Sequence, residues 1–369
     1  MPVPFLALGL AEDTAAIEAA LRRVVASGWF ILGPEVEAFE REFAGASGAR
    51  HAVAVNSGTD AIALILRALD IGPGDEVITT PLTAAFTALA ICMTGATPVF
   101  ADVDPVRGTL SPVAVESVVS PRTRALLPVH LYGQPADMPA LEALARRHGL
   151  ALIEDCAQAH LARAGGRPVG TIGAAGAFSF YPTKNLGALG DGGAVITNDS
   201  TLAERVRRLR NGGQAARYQH VERGVNSRLD EMQAAILRAR LPLLPGWTER
   251  RRTIAASYRD ALAGGTVVPL SELDPGHVYH LFVVRAADRA ALLAHLAQAD
   301  IGTLVHYPIP LHQQDAFRDV RHGPCPHAER LCAEVLSLPL HPGVSDADVR
   351  EVAAAIHAFD SRAVPRRAP

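Results

Sequence analysis

Lysine is almost absent from this chain of 369 residues, in which one lysine, Lys184, stands beside 34 arginines. A guanidinium stays protonated at any pH that a protein meets, so it can neither attack as an amine nor form a Schiff base. A single lysine in so arginine-rich a chain indicates a site that needs amine chemistry. The alternative is one solvated surface lysine left by chance. That alternative is disfavoured because Lys184 lies between a short aromatic run and a glycine-rich turn.

Cysteine is also scarce, and the four cysteines show no CxxC spacing. This argues against a disulfide scaffold or a zinc site and favours a reducing compartment. The N-terminus has no basic stretch before its apolar residues, and no apolar run approaches the length of a membrane span. We therefore expect a cytoplasmic protein with no bound metal and no membrane partner.

A large excess of charge of either sign is absent, and the net charge is −3. No basic run marks nucleic acid as a partner. The triplet Arg250 to Arg252 is interpreted as a solvated helix face. A chain of this length favours two domains. The stretch LPLLPGW predicts the boundary, with a large domain over 1–245 and a small one over 246–369.

Short apolar strands alternate with helical patterns through the first half of the chain. His51 to Val55 predicts a buried strand, and Asn56 to Asp60 a turn that opens a helix. Further strands are predicted in GDEVITTP, TPVFADVD, TRALLPVHLYG, GLALIEDC, GAFSFYP and GAVITND. This alternation predicts an α/β fold with a mostly parallel sheet covered on both faces. Ligands bind such sheets at the carboxyl ends of strands, where the 56–59 turn, Asp155 and Lys184 all fall.

The second half of the chain predicts a small α/β domain. Its predicted elements are helices over 248–263, 289–299, 328–336 and 346–359, and strands over 279–285 and 302–307.

Three local signals point to one cofactor chemistry. The turn Ser57 to Thr59 offers backbone N–H groups and a helix N-terminus to an anion, although an ordinary helix cap would look the same. Asp155 ends an apolar strand, and it too could be a helix cap. Pyridoxal phosphate needs a phosphate cradle, a carboxylate at its pyridine nitrogen and a lysine at its aldehyde. An aromatic face such as Phe86 can stack on the ring. The order of these residues along one sheet favours pyridoxal phosphate.

At these residues the sequence resembles the DegT-type nucleotide-sugar aminotransferases, which are fold-type I pyridoxal-phosphate enzymes. The matching stretches are SGWFILGPEVEAFEREFA, NSGTDAI, LIEDCAQAH, SFYPTKNLGALGDGGAV, NSRLDEMQAA and GTLVHYPIPLH. The resemblance implies that Lys184 forms the Schiff base and that Asp155 pairs with the pyridine nitrogen. It also implies that Gln158 hydrogen-bonds the phenolic oxygen of the ring and that Phe86 stacks on it.

The same resemblance implies a phosphate site and a dimer. Gly58, Thr59 and Ser179 would hold the cofactor phosphate. Asn226 would reach the phosphate of the cofactor in the neighbouring subunit, so the active unit would be a homodimer with shared sites.

The resemblance also implies a reaction, in which an amino acid such as glutamate donates its amine to a nucleotide-linked keto sugar. The motifs are most similar to the branch that aminates C3 of dTDP-3-oxo-6-deoxyhexoses. In branches that act at C4, a histidine commonly stands in the place of Tyr181. Candidates for holding the sugar or the donor carboxylate are His160, Tyr181, Arg228, His306 and His312. Leu161 departs from the family pattern, which has small residues after AQAH. The shape of the pocket wall near His160, and with it the sugar specificity, is therefore not predicted.

Several alternatives remain. Amination at C4 is the nearest. A pyridoxal-phosphate sugar dehydratase would carry histidine in place of Lys184. A nicotinamide enzyme would place its glycine-rich run between a first strand and a helix, whereas GALGDGG precedes a strand. A non-catalytic cofactor-binding sensor would usually bring an effector or DNA-binding module, and the sequence has no basic recognition helix.

Overall fold

The computed structural model describes residues 2–8 and 12–363, which contain one seven-stranded sheet, one three-stranded sheet and two short strand pairs. The strands are β1 His51–Val55, β2 Glu76–Thr79, β3 Thr97–Phe100, β4 Thr123–Leu126, β5 Ala151–Asp155, β6 Arg163–Ala164, β7 Arg167–Pro168, β8 Ala175–Ser179, β9 Gly193–Thr197, β10 Gln214–Ala216, β11 Gln219–His220, β12 Val268–Pro269, β13 Phe282–Arg285 and β14 Val335–Leu338.

Helices cover both faces of the large sheet and pack around the small one. They are α1 Thr14–Ser27, α2 Pro34–Ser47, α3 Gly58–Ala68, α4 Ala85–Cys92, α5 Pro112–Val118, α6 Met138–His148, α7 Ser200–Arg210, α8 Glu231–Arg240, α9 Leu244–Ala261, α10 Arg289–Gln298, α11 Pro326–Glu334 and α12 Asp346–Ala363. Local chemistry sets several of these ends. The first two helices stop at Gly28 and Gly48, whose φ values of 65° and 69° suit glycine.

The seven-stranded sheet has the order β1-β9-β8-β5-β4-β2-β3. Strands β2, β3, β4, β5 and β8 run parallel to their neighbours in this group. Strand β9 runs antiparallel to both β1 and β8, because the loop 180–192 turns the chain straight back without a crossover helix. The carboxyl end of β8 and the amino end of β9 therefore lie at the same edge of the sheet.

Successive side chains of the strands pack alternately into two separate hydrophobic cores, one on each face of the sheet. In β1, Ala52 and Ala54 pack into the cluster that contains Phe39 and Phe43 of α2. Residues 53 and 55 of the same strand pack into the opposite cluster, under α3 and α7. This two-residue period is that of a strand buried on both faces. It confirms the predicted α/β sheet with helices on both sides.

The three-stranded sheet is antiparallel, in the order β12-β13-β14, and has a hydrophobic core of its own. That core takes residues from 254–356 and also Val3, which pairs with Ile301. Helix α9 begins at Leu244, inside the predicted boundary, rather than at Thr248 as predicted. Pro245 stands in its first turn, where a missing N–H costs nothing. The division at residue 245 stays a prediction.

One predicted element of the second half is wrong, and another is present with different bounds. The segment 302–307 is not a strand; within it Leu304 alone pairs with Ser337, in an isolated bridge. Pro308 and Pro310 follow, and proline removes the N–H groups that a ladder would need. The helix predicted over 328–336 ends at Glu334, and the apolar residues that follow form β14 because they pair with β13.

The interpretation of Arg250 to Arg252 as a solvated face is wrong at its central residue. Arg251 is buried, and its guanidinium donates to the carbonyl oxygens of Tyr279, His280 and Leu340 at 3.2, 3.3 and 2.9 Å. It ties α9 to the segments that lead into β13 and follow β14.

No helix within residues 2–8 and 12–363 combines the length and apolarity needed to cross a membrane.

Candidate active site

Lys184 lies in the loop 180–192 at the edge of the large sheet. Its backbone N–H donates to the carbonyl oxygen of Tyr181 at 2.8 Å, and the Ala188 N–H closes the loop on Phe180. The Lys184 side chain is half-buried. Burial lowers the pKa of Lys184 to about 8, and the nearby carboxylate of Asp155 limits the drop. The amine is therefore closer to its neutral, nucleophilic form than a surface lysine would be.

Asp155 ends β5 one strand away from the Lys184 loop and is 4% exposed. Its Oδ1 accepts the backbone N–H of Ala157 at 3.1 Å, and its Oδ2 accepts the hydroxyl of Thr87 at 2.8 Å. Burial raises the pKa of Asp155, while these two donors and the Lys184 ammonium oppose the rise. Each carboxylate oxygen keeps capacity for a further donor.

The turn that joins β1 to α3 packs closely against β8 and β9. The Ser57 hydroxyl caps α3 by accepting the Asp60 N–H at 3.1 Å. A Cβ on Gly58 would lie 2.8 Å from the Cβ of Ser179, and a Cβ on Gly193 would lie 2.3 Å from the carbonyl carbon of Ser57. The two glycines thus let Ser179 approach the first turn of α3.

The predicted phosphate site consequently has the donors that an anion needs. The amides of Gly58 and Thr59 open α3, before any intrahelical acceptor is available to them. The hydroxyl-bearing Ser179 lies against them. Free amides, hydroxyls and the positive end of a helix dipole suit a phosphate group.

Gln158 follows Asp155 closely in the chain, and Phe86 lies on α4. The Gln158 side chain is buried and bonds the backbone N–H of Tyr132 at 2.6 Å and the hydroxyl of Tyr307 at 3.2 Å. Phe86 is 63% exposed, in the first turn of α4, directly before the buried Thr87. Helix α4 therefore offers an aromatic face next to the residue that holds Asp155.

His160 is enclosed by aromatic rings. Its ring centroid lies 6.5, 5.4 and 5.7 Å from those of Phe43, Phe178 and Phe180, and its side chain is 1% exposed. Burial, and secondarily the Lys184 ammonium, lower the pKa of His160 to about 3, so the ring is neutral at physiological pH. The structure places His160 in the core near Lys184, and its predicted contact with the sugar stays a prediction.

Leu161, the departure from the family pattern, has a left-handed backbone with φ at 64°. This conformation suits glycine and strains a leucine. Its side chain packs against the core cluster that surrounds Phe43.

The loop before α8 brings Asn226 and Arg228 close to the phosphate cradle. The hydroxyl of Ser227, between them, donates to Asp60 at 2.7 Å and accepts the Asn56 N–H at 3.1 Å. The Arg228 guanidinium donates to Asn211 at 3.1 Å, while the Asn226 side chain is exposed. Whether Asn226 serves a neighbouring subunit stays a prediction.

The two histidines predicted from GTLVHYPIPLH have different surroundings. His306 hydrogen-bonds the Ser337 hydroxyl at 2.9 Å, and burial together with the Lys184 ammonium lowers its pKa to about 4. His312 is buried and bonds Glu329 of α11 at 3.0 Å. The structure brings His306 into the electrostatic range of Lys184. The contacts of His312 are with α11 instead. Tyr181 is 52% exposed at the start of the Lys184 loop.

Sequence reasoning missed four residues around Lys184 and Asp155. Thr87 follows the predicted Phe86, and Asn185 follows Lys184, so proximity in the chain was an available signal. Asn185 donates to the Val278 carbonyl at 3.1 Å, and its Oδ1 bonds the His280 ring at 3.1 Å. No local pattern marks His280.

The fourth missed residue, Tyr307, stands directly after the predicted His306. Its hydroxyl bonds the Gln158 amide, and its side chain is half-buried. The neighbouring His306 was the available signal.

His130, Glu154 and Cys156 form a buried cluster whose possible ligand atoms lie within 4.8 Å of one another. Hydrogen bonds within the protein already occupy most of these possible ligand atoms. Glu154 bonds His130 Nε2 at 3.0 Å, and His130 Nδ1 accepts the Ala136 N–H at 3.0 Å. The Glu154 carboxylate also accepts three backbone N–H groups. These contacts describe an internal brace of the fold.

Comparison with known proteins gives a consistent result. The profile of the DegT/DnrJ/EryC1/StrS aminotransferase family matches residues 11–357. The chain is 50% identical over 366 residues to the dTDP-3-amino-3,4,6-trideoxy-alpha-D-glucose transaminase of Streptomyces venezuelae, covering 98% of this chain and 97% of the relative.

Solved structures are similar over the same length. The crystal structure of S. venezuelae DesV in complex with a ketimine intermediate has a TM-score of 0.95 and 49% identity, covering 98% of this chain and 99% of that one. The structure of NtdA from Bacillus subtilis with bound cofactor PMP has a TM-score of 0.91 and 31% identity, covering 98% and 85%.

Proposed function

Because the chain belongs to the DegT/DnrJ/EryC1/StrS aminotransferase family, we propose that it transaminates a nucleotide-linked keto sugar with pyridoxal 5′-phosphate as cofactor. The acceptor is a dTDP-3-oxo-6-deoxyhexose, the product is the 3-amino sugar and glutamate is the donor. One observation carries this proposal. The single lysine of the chain, with its pKa lowered to about 8, lies within electrostatic reach of the buried Asp155.

Pyridoxal phosphate, when bound, supplies an electron sink that stabilises negative charge at the reacting carbon of the substrate. The chain offers a partner for each of its groups. Lys184 holds the aldehyde carbon, and Asp155 holds the pyridine nitrogen in its protonated form. Gly58, Thr59 and Ser179 bind the phosphate, Gln158 donates to the phenolic oxygen, and Phe86 covers the ring.

Lys184 also moves the proton that transamination requires. With the cofactor bound, the free Nζ of Lys184 would be the group that accepts the proton of the donor Cα and then releases it. A pKa of about 8 leaves an appreciable neutral fraction near pH 7.5, which general base catalysis needs. Thr87 and the Ala157 amide hold the Asp155 carboxylate in place during these steps.

Support for the C3 position comes from two sources. The relative from S. venezuelae carries a 3-amino sugar in its name and is 50% identical over nearly the whole chain. Tyr181, exposed at the start of the Lys184 loop, stands where C4-acting branches commonly have histidine. The sugar or the donor carboxylate is held by a set drawn from His160, Tyr181, Arg228, His306 and His312.

The working unit in this proposal is a homodimer in which Asn226 reaches the partner's cofactor phosphate. Large apolar side chains are exposed on the surface of the described residues, as a dimer interface requires. They include Trp29, Phe30, Phe86, Met93 and Tyr218. The four cysteines are all unpaired thiols, which fits work in the reducing cytoplasm.

The test is a substrate panel. The purified protein is given pyridoxal phosphate, glutamate and dTDP-, UDP- or GDP-linked sugars with a keto group at C3 or C4. Product mass and NMR then identify the aminated carbon. We expect amination at C3 of the dTDP sugar. Amination at C4 alone would overturn the assignment of position. Lys184→Arg is the matched control, since it keeps the charge without amine chemistry; a Lys184→Arg enzyme with full activity would overturn the mechanism.

A further inference from the structure

The side-chain amide of Gln158 has only one chemically allowed orientation. Its nearest neighbour, at 2.6 Å, is the backbone N–H of Tyr132, which can only donate. The atom facing it must therefore be the carbonyl oxygen Oε1. The amide nitrogen Nε2 then faces the Tyr307 hydroxyl at 3.2 Å and donates to it.

Tyr307 receives that hydrogen bond from a different part of the fold. It lies in the irregular segment between α10 and α11, whereas Gln158 follows β5 of the large sheet. The hydroxyl of Tyr132 donates to the carbonyl oxygen of His306, next to Tyr307. Burial raises the pKa of Tyr307 to about 12, the Gln158 hydrogen bond opposes this rise, and the charge of Asp155 adds to it. The hydroxyl is therefore neutral.

We propose that Tyr307 is a positioning residue that holds the Gln158 amide in the orientation needed to donate its second Nε2 hydrogen to the cofactor's phenolic oxygen. This inference rests on the proposed function, because Gln158 is assigned to that oxygen there. Tyr307 acts through Gln158 and supplies the second of two restraints on its amide. The first is the backbone N–H of Tyr132, which no side-chain substitution removes.

The consequence is a change in proton affinity at the cofactor. A hydrogen-bond donor aimed at the phenolic oxygen stabilises the negative charge of that oxygen. The bound cofactor therefore loses its titratable proton at a lower pH. Without the Tyr307 hydroxyl, the Gln158 amide is less well held and donates less effectively. The pH at which the visible absorbance of the bound cofactor changes then rises.

The experiment is a spectral pH titration of the holoenzyme without substrates. Tyr307→Phe is compared with wild type and with Tyr258→Phe, which removes another buried tyrosine hydroxyl, bonded to the Pro339 carbonyl at 3.1 Å. We expect the midpoint of Tyr307→Phe to rise by about 0.5 to 1 pH unit, the size of one hydrogen bond. Tyr258→Phe should keep the wild-type midpoint. Urea unfolding of each variant checks that it is folded at the pH values used.

A double-variant cycle decides whether Gln158 carries the effect. In a Gln158→Ala background, adding Tyr307→Phe should leave the midpoint unchanged. An equal shift in both backgrounds would overturn the inference, because Tyr307 would then act on the cofactor independently of Gln158. An unchanged midpoint in Tyr307→Phe alone would overturn it as well. If the wild-type protein binds no visible cofactor at all, the proposed function fails, which is a distinguishable result.

Discussion

Glu154 and Asp155 are neighbours on β5, yet the two carboxylates serve opposite faces of the large sheet. Both are buried. The oxygens of Glu154 are filled by four donors: the backbone N–H groups of Gly170, Ile172 and Gly173, each at 2.8 Å, and His130 Nε2 at 3.0 Å. Asp155 has two donors, the Ala157 amide and the Thr87 hydroxyl.

The difference separates a carboxylate that braces the fold from one that is proposed to hold the cofactor. Glu154 is saturated by neighbouring loops and has nothing to offer a ligand. Asp155 is held firmly enough to stay oriented but keeps acceptor capacity, and it lies within reach of the Lys184 ammonium. Burial is therefore not what distinguishes the two. The number of donors that the fold supplies to each carboxylate distinguishes them.

The largest expected effect concerns activity. In the proposed function, the charge of Asp155 keeps the pyridine nitrogen protonated. Asp155→Asn would remove that charge, so we expect kcat to fall by about a hundred- to a thousand-fold, as for other preorganised electrostatic groups. Steady-state kinetics at saturating cofactor measures this. The free energy of unfolding should change little. A variant that loses stability but keeps its kcat would show that Asp155 has the structural role instead.

The corresponding change at the other carboxylate is Glu154→Gln. Its new amide group meets N–H donors where a carboxylate oxygen accepted them, so we expect the free energy of unfolding to fall by about 2 to 4 kcal/mol. Urea denaturation measures the loss. The kcat per folded molecule should stay within about twofold of wild type, since none of the four groups that bond Glu154 is assigned to the candidate site. A kcat loss as large as that of Asp155→Asn would erase the contrast between the two carboxylates.

A smaller effect is expected from Thr87→Val, which removes one donor to Asp155 and keeps the side-chain shape. Because that hydroxyl lowers the pKa of Asp155, its loss lets the pKa rise further, and less of the carboxylate is ionised at low pH. We expect a threefold to tenfold loss of kcat/KM, on the order of one hydrogen bond. The acid limb of the pH profile should move to higher pH. An acid limb that moves to lower pH would contradict this account of Asp155.

The residues of the candidate site could be predicted from the sequence because their signals are local. The one lysine, the carboxylate that ends an apolar strand and the small turn after β1 are each visible in a few residues, and parallel strands bring them to one edge. The structure has this α/β sheet, and the family match confirms the resemblance.

What the sequence did not reveal depends on contacts between distant segments. In the sequence, Arg251 has the pattern of an arginine on a helix surface. In the structure it is buried because it bonds carbonyl oxygens of the segments next to β13 and β14. His280 reaches Asn185 only because the two segments fold together. The segment 302–307 has the composition of a strand, but no neighbouring strand pairs with it along its length.

The most direct test of the central claim is reductive trapping. The holoenzyme is treated with borohydride, digested and analysed by mass spectrometry. The account predicts that the reduced cofactor is covalently attached to the peptide that contains Lys184, a clear result because the chain has no other lysine. An active enzyme whose cofactor is released unattached, or is found only on the N-terminal amine, would contradict the claim that Lys184 is the catalytic amine.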